Sequence, residues 1–306
     1  MATAPMPRPT AIEYFGEHRG LLFSVAYHLL GSVQDAEDAV QESWLAWQAR
    51  YQDQGLQPVQ NPRGYLVRIV TNQALARRRM LERRKETYLG PWLPEPIVEP
   101  APEHDGEQAA TRAESVSLAM LVVLESLAPS ERAVFVLREV FGYAHREIAE
   151  VLDSNEQNVR QQAHRAREHV RARRPRFRAD PAAIRSATRR FLDAVLGGDL
   201  QALLRVLAPG VTLYSDGGGK SAVGGPRPVQ GRDKVSRLAV AMRLDQSISV
   251  RYRSVNGDPA AVLYRESDPL AVVAVDLAED GRVENIYVVS NPDKLATLAS
   301  GQQEAK

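Results

Sequence analysis

The chain has 306 residues with 39 Lys and Arg against 38 Asp and Glu, a net charge of +1. That length suits two or three domains, each burying its own core. Hydrophobic residues at 44% and charged residues at 25% match an ordinary soluble protein, with no apolar run long enough to span a bilayer. Zero cysteines exclude disulfides, thiolate zinc sites, iron–sulfur clusters and Cys nucleophiles. The opening MATAPMPRPT lacks the pattern of a secretion signal, so the expected location is the cytoplasm, with no membrane partner.

From Ala11 to about Glu86 the pattern is helical, with Leu22, Val25, Ala26 and Leu29 recurring at three- and four-residue steps. In VQDAEDAVQESWLAW, Val33, Ala36, Val40, Trp44 and Trp47 form one stripe, with Asp35, Glu37, Asp38 and Glu42 around it. Taken alone, this is either a core helix with a solvated acidic face or a docking helix for a basic partner. Next comes NPRGYLVRIVTNQALARRRMLERRK, whose Arg77, Arg78, Arg79, Arg83, Arg84 and Lys85 are the first of two basic clusters. Asn61-Pro62-Arg63 reads equally as a simple helix start and as part of a ligand surface.

Residues 87–110 are a linker, because the prolines of TYLGPWLPEPIVEPAPEHDGEQ remove backbone donors and block regular helix. Helical periodicity resumes over 111–174, with a stripe of Leu118, Leu121, Val122, Leu124 and Leu127. Its second half reads as a helix-turn-helix: a helix His145–Leu152, a turn at Asp153, and a long helix beginning near Asn155. Ser154 and Gln157 have capping-box spacing. Val159, Ala163 and Ala166 face inward on Ile148, Ala149 and Leu152; Ser154, Asn155, Asn158, Arg160, Gln161, His164, Arg165 and Arg167 are left for DNA. Arg pairs bidentately with guanine, Asn and Gln with adenine, and further arginines neutralise phosphates.

Over 180–306 an amphipathic helix, Ala182–Leu207, gives way to VTLYSD, SISVRYRSV, AAVLYRE, LAVVAVDL and VENIYVVS, which alternate or are β-branched, so this part is α+β. The six histidines are scattered without ligand spacing, no phosphate-binding glycine loop appears, and no cofactor is expected.

AYHLLGSVQDAEDAVQESWLAW and NPRGYLVRIVTNQALARRRMLERRK resemble the polymerase-docking and −10 regions of the extracytoplasmic-function (ECF) sigma factors of the sigma-70 family. The helix-turn-helix resembles their −35-reading domain. The resemblance implies two all-α sigma domains: region 2 over 11–86 and region 4 over 111–174. It implies that Asp35, Glu37, Asp38, Glu42 and Trp44 meet core RNA polymerase through its β′ subunit, with β also a partner. It assigns Asn61, Arg63, Arg68, Asn72, Arg77, Arg78 and Arg79 to −10 promoter DNA, with a loop near 51–61 capturing a flipped base.

FLDAVLGGDLQALLRVLAPGVTLYSDGGGK, the helix GRDKVSRLAVAMRL and the later strands resemble the SnoaL-like (NTF2-like) fold, a cone-shaped α+β domain. WLPEP, DGGGK and NPDKL together resemble the sigma subgroup carrying this domain as a fused regulator. Trp92, Leu93, Pro94, Glu95 and Pro96, with Asp216, Gly217, Gly218, Gly219 and Lys220, are then the expected interdomain contacts. The expected function is stress-responsive promoter-specific initiation without catalysis, modulated in cis. The alternative is a helix-turn-helix regulator whose C-terminal domain senses a small-molecule ligand or retains isomerase or cyclase activity through residues such as Asp216, Tyr214, Tyr252 and Tyr264.

Overall fold

A computed structural model describes residues 10–52, 59, 61–85, 87–99, 116–173, 179–221, 223–242 and 247–300. In chain order the first helices are α1 (Ala11–Leu30), α2 (Val33–Gln52), α3 (Pro62–Lys85) and α4 (Leu118–Leu124). Then follow α5 (Pro129–Phe135), which continues as a π-turn over Val136–Val140, α6 (His145–Val151) and α7 (Glu156–Arg173). The remainder is α8 (Pro181–Leu196), α9 (Leu200–Val206), β1 (Leu207–Asp216), β2 (Val229–Gln230), α10 (Arg232–Ala241), β3 (Ile248–Val255), β4 (Asp258–Arg265), β5 (Asp268–Leu277), β6 (Val283–Val289) and α11 (Pro292–Ser300).

These elements form two compact units, Met1–Leu81 with Leu127–Arg167, and Glu82–Ser126 with Glu168–Lys306. The division cuts across the expected order of domains. The proline-rich segment and α4 belong with the C-terminal sheet, while the acidic N-terminal helices and the helix-turn-helix share the first unit.

In the first unit, Thr10 and Glu13 cap α1 reciprocally, and Gly31 ends it in the left-handed conformation with φ 71°. Leu22, Val25, Leu29 and Leu30 from α1 are buried, as are Ala36, Val40 and Trp47 from α2 and Leu66, Val67, Val70 and Ala74 from α3. The Trp47 indole donates to Ala11 O at 3.0 Å. Asn61 caps α3 by accepting from Gly64 N at 3.0 Å, with Pro62 at the first helical position.

The second unit carries a six-stranded mixed sheet in the order β2-β1-β6-β5-β4-β3, with β1 and β6 parallel and the other pairs antiparallel. Alternation along the strands sends Val211, Leu213, Leu263, Val273, Val275 and Ile286 into a core with Phe191, Leu192, Leu203 and Val235 from the helices. The other face gathers Val262, Tyr264, Val272, Tyr287 and Val289 under Leu93, Leu118 and Leu295. The single helix expected over 182–207 is two helices. It breaks at Gly197-Gly198, where Gly198 takes φ 64°, and Asp199 caps the next helix through Ala202 N at 2.9 Å.

Candidate nucleic-acid interface and linker clasp

Asp153, at φ 49°, turns the chain between α6 and α7. The cap of α7 is Asn155 rather than Ser154: Asn155 Oδ1 accepts from Asn158 N at 2.8 Å. Ser154 Oγ accepts instead from Asn158 Nδ2 at 3.0 Å, which fixes the Asn158 side chain. Val159, Ala163 and Ala166 are buried together with Ile148 and Ala149. Arg160, Gln161, His164, Arg165 and Arg167 are exposed along the opposite face, with Asn158 half-buried beside them. Three of these arginines are held by acids of their own unit: Arg160 by Glu156 at 2.6 Å, Arg165 by Glu131 at 3.0 Å and Arg167 by Glu139 at 2.9 Å. Such exposed pairs are weak, so phosphates can displace them.

On α3 the run Arg77-Arg78-Arg79 does not act as one basic block. Successive helical residues fan out by about 100°, and each arginine meets different surroundings. Arg79 is exposed and continues a stripe with Arg68, Asn72 and Arg83. Arg78 is 3% exposed and donates from Nη1 to Leu29 O at 2.9 Å, so its placement among phosphate-contacting residues is corrected to a structural one. Arg77 reaches across to α2: Nε donates to Asp35 Oδ1 at 2.9 Å, Nη1 to Glu42 Oε1 at 3.1 Å and Nη2 to Asp38 Oδ2. Burial opposes the charge on Arg77, but the Asp35 hydrogen bond and attraction from Asp38, Asp35 and Glu42 outweigh it and raise its pKa.

The acidic surface of α2 is therefore partly neutralised from within. Glu37 pairs with Arg19 at 2.5 Å, and Trp44 stacks edge-on against Phe15 with centroids 5.1 Å apart. Ile12, Phe15, Gly16, Arg19, Val40 and Trp44 line a cavity of about 430 Å³ between α1 and α2. The expected base-capture loop near 51–61 lies largely outside the described residues.

Regions expected to read separate promoter elements pack against each other in the first unit. Arg132 of α5 is fully buried, and its Nε donates to His28 O at 2.8 Å. Arg132 and Arg78 thus both satisfy carbonyls that the last turn of α1 leaves without helical partners. The His28 ring packs 5.8 Å from Phe141, and the Arg63 guanidinium lies 5.9 Å from the Tyr143 centroid. Burial, reinforced by Arg132, pushes the His28 pKa down to about 3.

In the second unit the WLPEP segment wraps the sheet. Prolines at 91, 94 and 96 delete three amide donors, which leaves few to satisfy when the segment is buried. Leu93 N donates to Asp216 Oδ2 at 2.8 Å, and Lys294 Nζ donates to the same oxygen at 2.7 Å and to Leu93 O. Tyr88 Oη donates to Asp216 Oδ1 at 2.5 Å and accepts from Asn291 Nδ2 at 2.8 Å. Lys294 Nζ also lies 4.0 Å from the Trp92 centroid. Burial lowers the Lys294 pKa against the pull of Asp216 and raises that of Tyr88 together with the Asp216 bond.

Further along, Ile97 O accepts from Asn256 N at 2.9 Å and Glu99 N donates to Ser254 O at 2.9 Å. An antiparallel bridge joins Val98 to Val255, so the linker shields one end of the edge strand β3. Gly219, at φ 71°, packs so closely on the linker that a Cβ there would meet Leu89 Cδ1 at 2.7 Å. Between WLPEP and DGGGK the direct hydrogen bond is that of Leu93 N to Asp216. Tyr88 and Asn256 were missed in the sequence, and Lys294 and Asn291 were noted only as part of NPDKL.

The proposed acid–base residues do not converge. Asp216 is fully buried within the clasp, Tyr214 stacks on Tyr287 at 5.5 Å, and Tyr264 lies under Arg251 at 4.4 Å. Tyr252 packs on the other face of the sheet, with Arg189 at 5.0 Å.

An exposed arginine-lined helix after a tight turn, a second basic helix and an acidic helix face mark two helical modules of nucleic-acid-binding type, with an α+β domain appended. Sequence profiles agree: Sigma-70 region 2 matches residues 14–84 and Sigma-70, region 4 matches residues 117–170. The ECF RNA polymerase sigma factor SigJ of Mycobacterium tuberculosis (strain ATCC 25618 / H37Rv) is 36% identical over 92% of each chain. The probable ECF sigma factor SigI of the same strain is 31% identical over 92% of this chain and 93% of its own. The crystal structure of M. tuberculosis SigJ superposes with a TM-score of 0.72 at 34% identity, covering 93% of this chain and 98% of that one.

The chain belongs to the ECF RNA polymerase sigma factors. As such it directs transcription initiation with core RNA polymerase at promoter DNA. Among the described residues no helix is long and apolar enough to cross a membrane.

Proposed function

We propose that this sigma factor is regulated in cis by its C-terminal domain, which holds the linker between the two promoter-reading regions through the clasp of Asp216, Lys294, Tyr88 and Leu93. The observation that carries this reading is the Asp216 carboxylate, fully buried and shared by a side chain and an amide of the linker and an ammonium of α11. With Leu93 anchored, the length of chain free to separate regions 2 and 4 is limited.

The surfaces are assigned as follows. Asp35, Asp38 and Glu42, with Glu37 and Trp44, dock on the β′ subunit, and the exposed face of α7 reads the −35 element. Arg63, Arg68, Asn72 and Arg79 track the −10 strand, beside the cap residue Asn61. Promoter engagement requires regions 2 and 4 to part. The two elements lie more than one helical turn of DNA apart, and each turn advances about 34–36 Å, whereas Arg132 and His28 are in direct contact. On this reading the C-terminal domain regulates and performs no catalysis.

Run-off transcription with core polymerase tests the regulatory reading, using full-length chain and Asp216→Asn with Lys294→Met. A changed transcript level from an unchanged start site is expected. Equal activity of the two proteins over a range of concentrations would sink it.

A further inference from the structure

The geometry points to Arg77 as a latch between the two functions of region 2: carboxylates assigned to the polymerase hold back a cation that joins the DNA surface once polymerase docks. This rests on the proposed assignment of Asp35, Asp38 and Glu42 to polymerase and of the α3 stripe to DNA.

Three features support it. First, Arg77 is the only member of its run that neither faces solvent nor enters the core. Arg79 is exposed and Arg78 buried, while the Arg77 side chain keeps 21% of its exposure at the boundary. Second, its guanidinium spends donors on three carboxylates at once, spaced at positions 35, 38 and 42 on one face of α2. Third, Asp38 and Glu42 remain 42% and 48% exposed, so an incoming basic surface can reach the same carboxylates from solvent.

A partner that brings its own cations to these acids competes with Arg77 for them. Arg77 leaves α3 about 140° around the helix from Asn72 and about 160° from Arg79, with the exposed Ala76 and Met80 between it and that stripe. Once displaced, its long side chain can swing across them to the flank of the stripe and meet a phosphate there. By linkage, polymerase docking then strengthens DNA binding, and DNA strengthens docking by the same factor. A free sigma factor is correspondingly a poorer DNA binder than its residue content suggests.

The test measures binding of full-length protein to a fluorescein-labelled single-stranded 20-nucleotide DNA of mixed sequence by anisotropy, across a salt series. Wild type is compared with Asp35→Asn/Asp38→Asn/Glu42→Gln, which removes all three carboxylates that hold Arg77, and with the same variant carrying Arg77→Ala. Releasing Arg77 should tighten binding and steepen the log K against log salt slope by about 0.7, the value of one single-strand phosphate contact. Adding Arg77→Ala should remove the extra slope. No gain in the acid variant, or a gain in slope that survives Arg77→Ala, would overturn the latch while leaving the docking assignment intact. The acid variant should also lose affinity for core polymerase. Unchanged core affinity would overturn polymerase as the trigger and, with it, the assignment of Asp35 and Asp38. Asn and Gln are close in size to Asp and Glu, and a circular dichroism melt confirms that each variant is folded before binding is read.

Discussion

Lys294 Nζ lies 2.7 Å from Asp216 Oδ2, which ties the first turn of α11 to the end of β1 through an acid with no exposure to solvent. Because the same ammonium covers Trp92 and bonds Leu93 O, this pair is also the anchor of the linker. Lys294→Met strands the Asp216 charge in the interior, and breaking a buried pair from one side costs about 3–5 kcal/mol. Thermal unfolding should show that loss, and Asp216→Asn in the same chain should recover part of it.

Arg78 and Arg79 are adjacent in sequence and should respond oppositely. Arg78→Ala leaves Leu29 O without its donor and should cost about 1–3 kcal/mol of stability in urea unfolding. Arg79→Ala should leave the unfolding midpoint within about 0.5 kcal/mol of wild type, as expected for an exposed side chain, but lower the salt slope of DNA binding. The reverse pattern would show that α3 presents a different face to DNA.

The cap of α7 gives a third prediction. Asn155→Ala removes the acceptor for Asn158 N and should cost about 1 kcal/mol, with weaker binding to −35 DNA. Ser154→Ala, which leaves that backbone bond in place, should cost less. A larger loss from Ser154→Ala than from Asn155→Ala would return the cap to Ser154.

His28 makes the first unit sensitive to acid. Its folded pKa of about 3 lies below the unfolded value of about 6.5, so between these limits the unfolded chain binds a proton that the folded chain refuses. Stability is therefore present above pH 6.5 and lost as pH falls, with His28 contributing up to about 1.4 kcal/mol per unit, or about 2 kcal/mol between pH 7 and pH 5. Urea midpoints at the two pH values, compared between wild type and His28→Gln, isolate this share, and equal slopes would contradict it.

Patterns of one helix and one strand were legible in the sequence. The inward Val159, Ala163 and Ala166, the outward arginines of α7 and the α+β character of the C-terminal part all follow from periodicity, which reports a residue's own element. Arg78 had a readable signal that was passed over: it lies four residues after Ala74 and eight after Val70, on the buried stripe of α3. The partners of Arg77 and Asp216 were not readable in this way. Arg77 meets acids 35 to 42 residues away, and Asp216 meets Tyr88 and Leu93 more than 120 residues away. Only the tertiary fold sets those distances. The break at Gly197-Gly198 was missed because apolar spacing continues across it, while the φ of Gly198 does not.

The account turns on regions 2 and 4 separating when the factor engages a promoter. With no native cysteine, dyes can be placed uniquely at Ala49→Cys and Gln157→Cys, both exposed and both in the first unit. Energy transfer between them should be high in the free chain and should fall to a low value when core polymerase and promoter DNA are added together. Transfer that stays high in a complex shown to be transcribing would contradict the separation of regions 2 and 4 on promoter engagement.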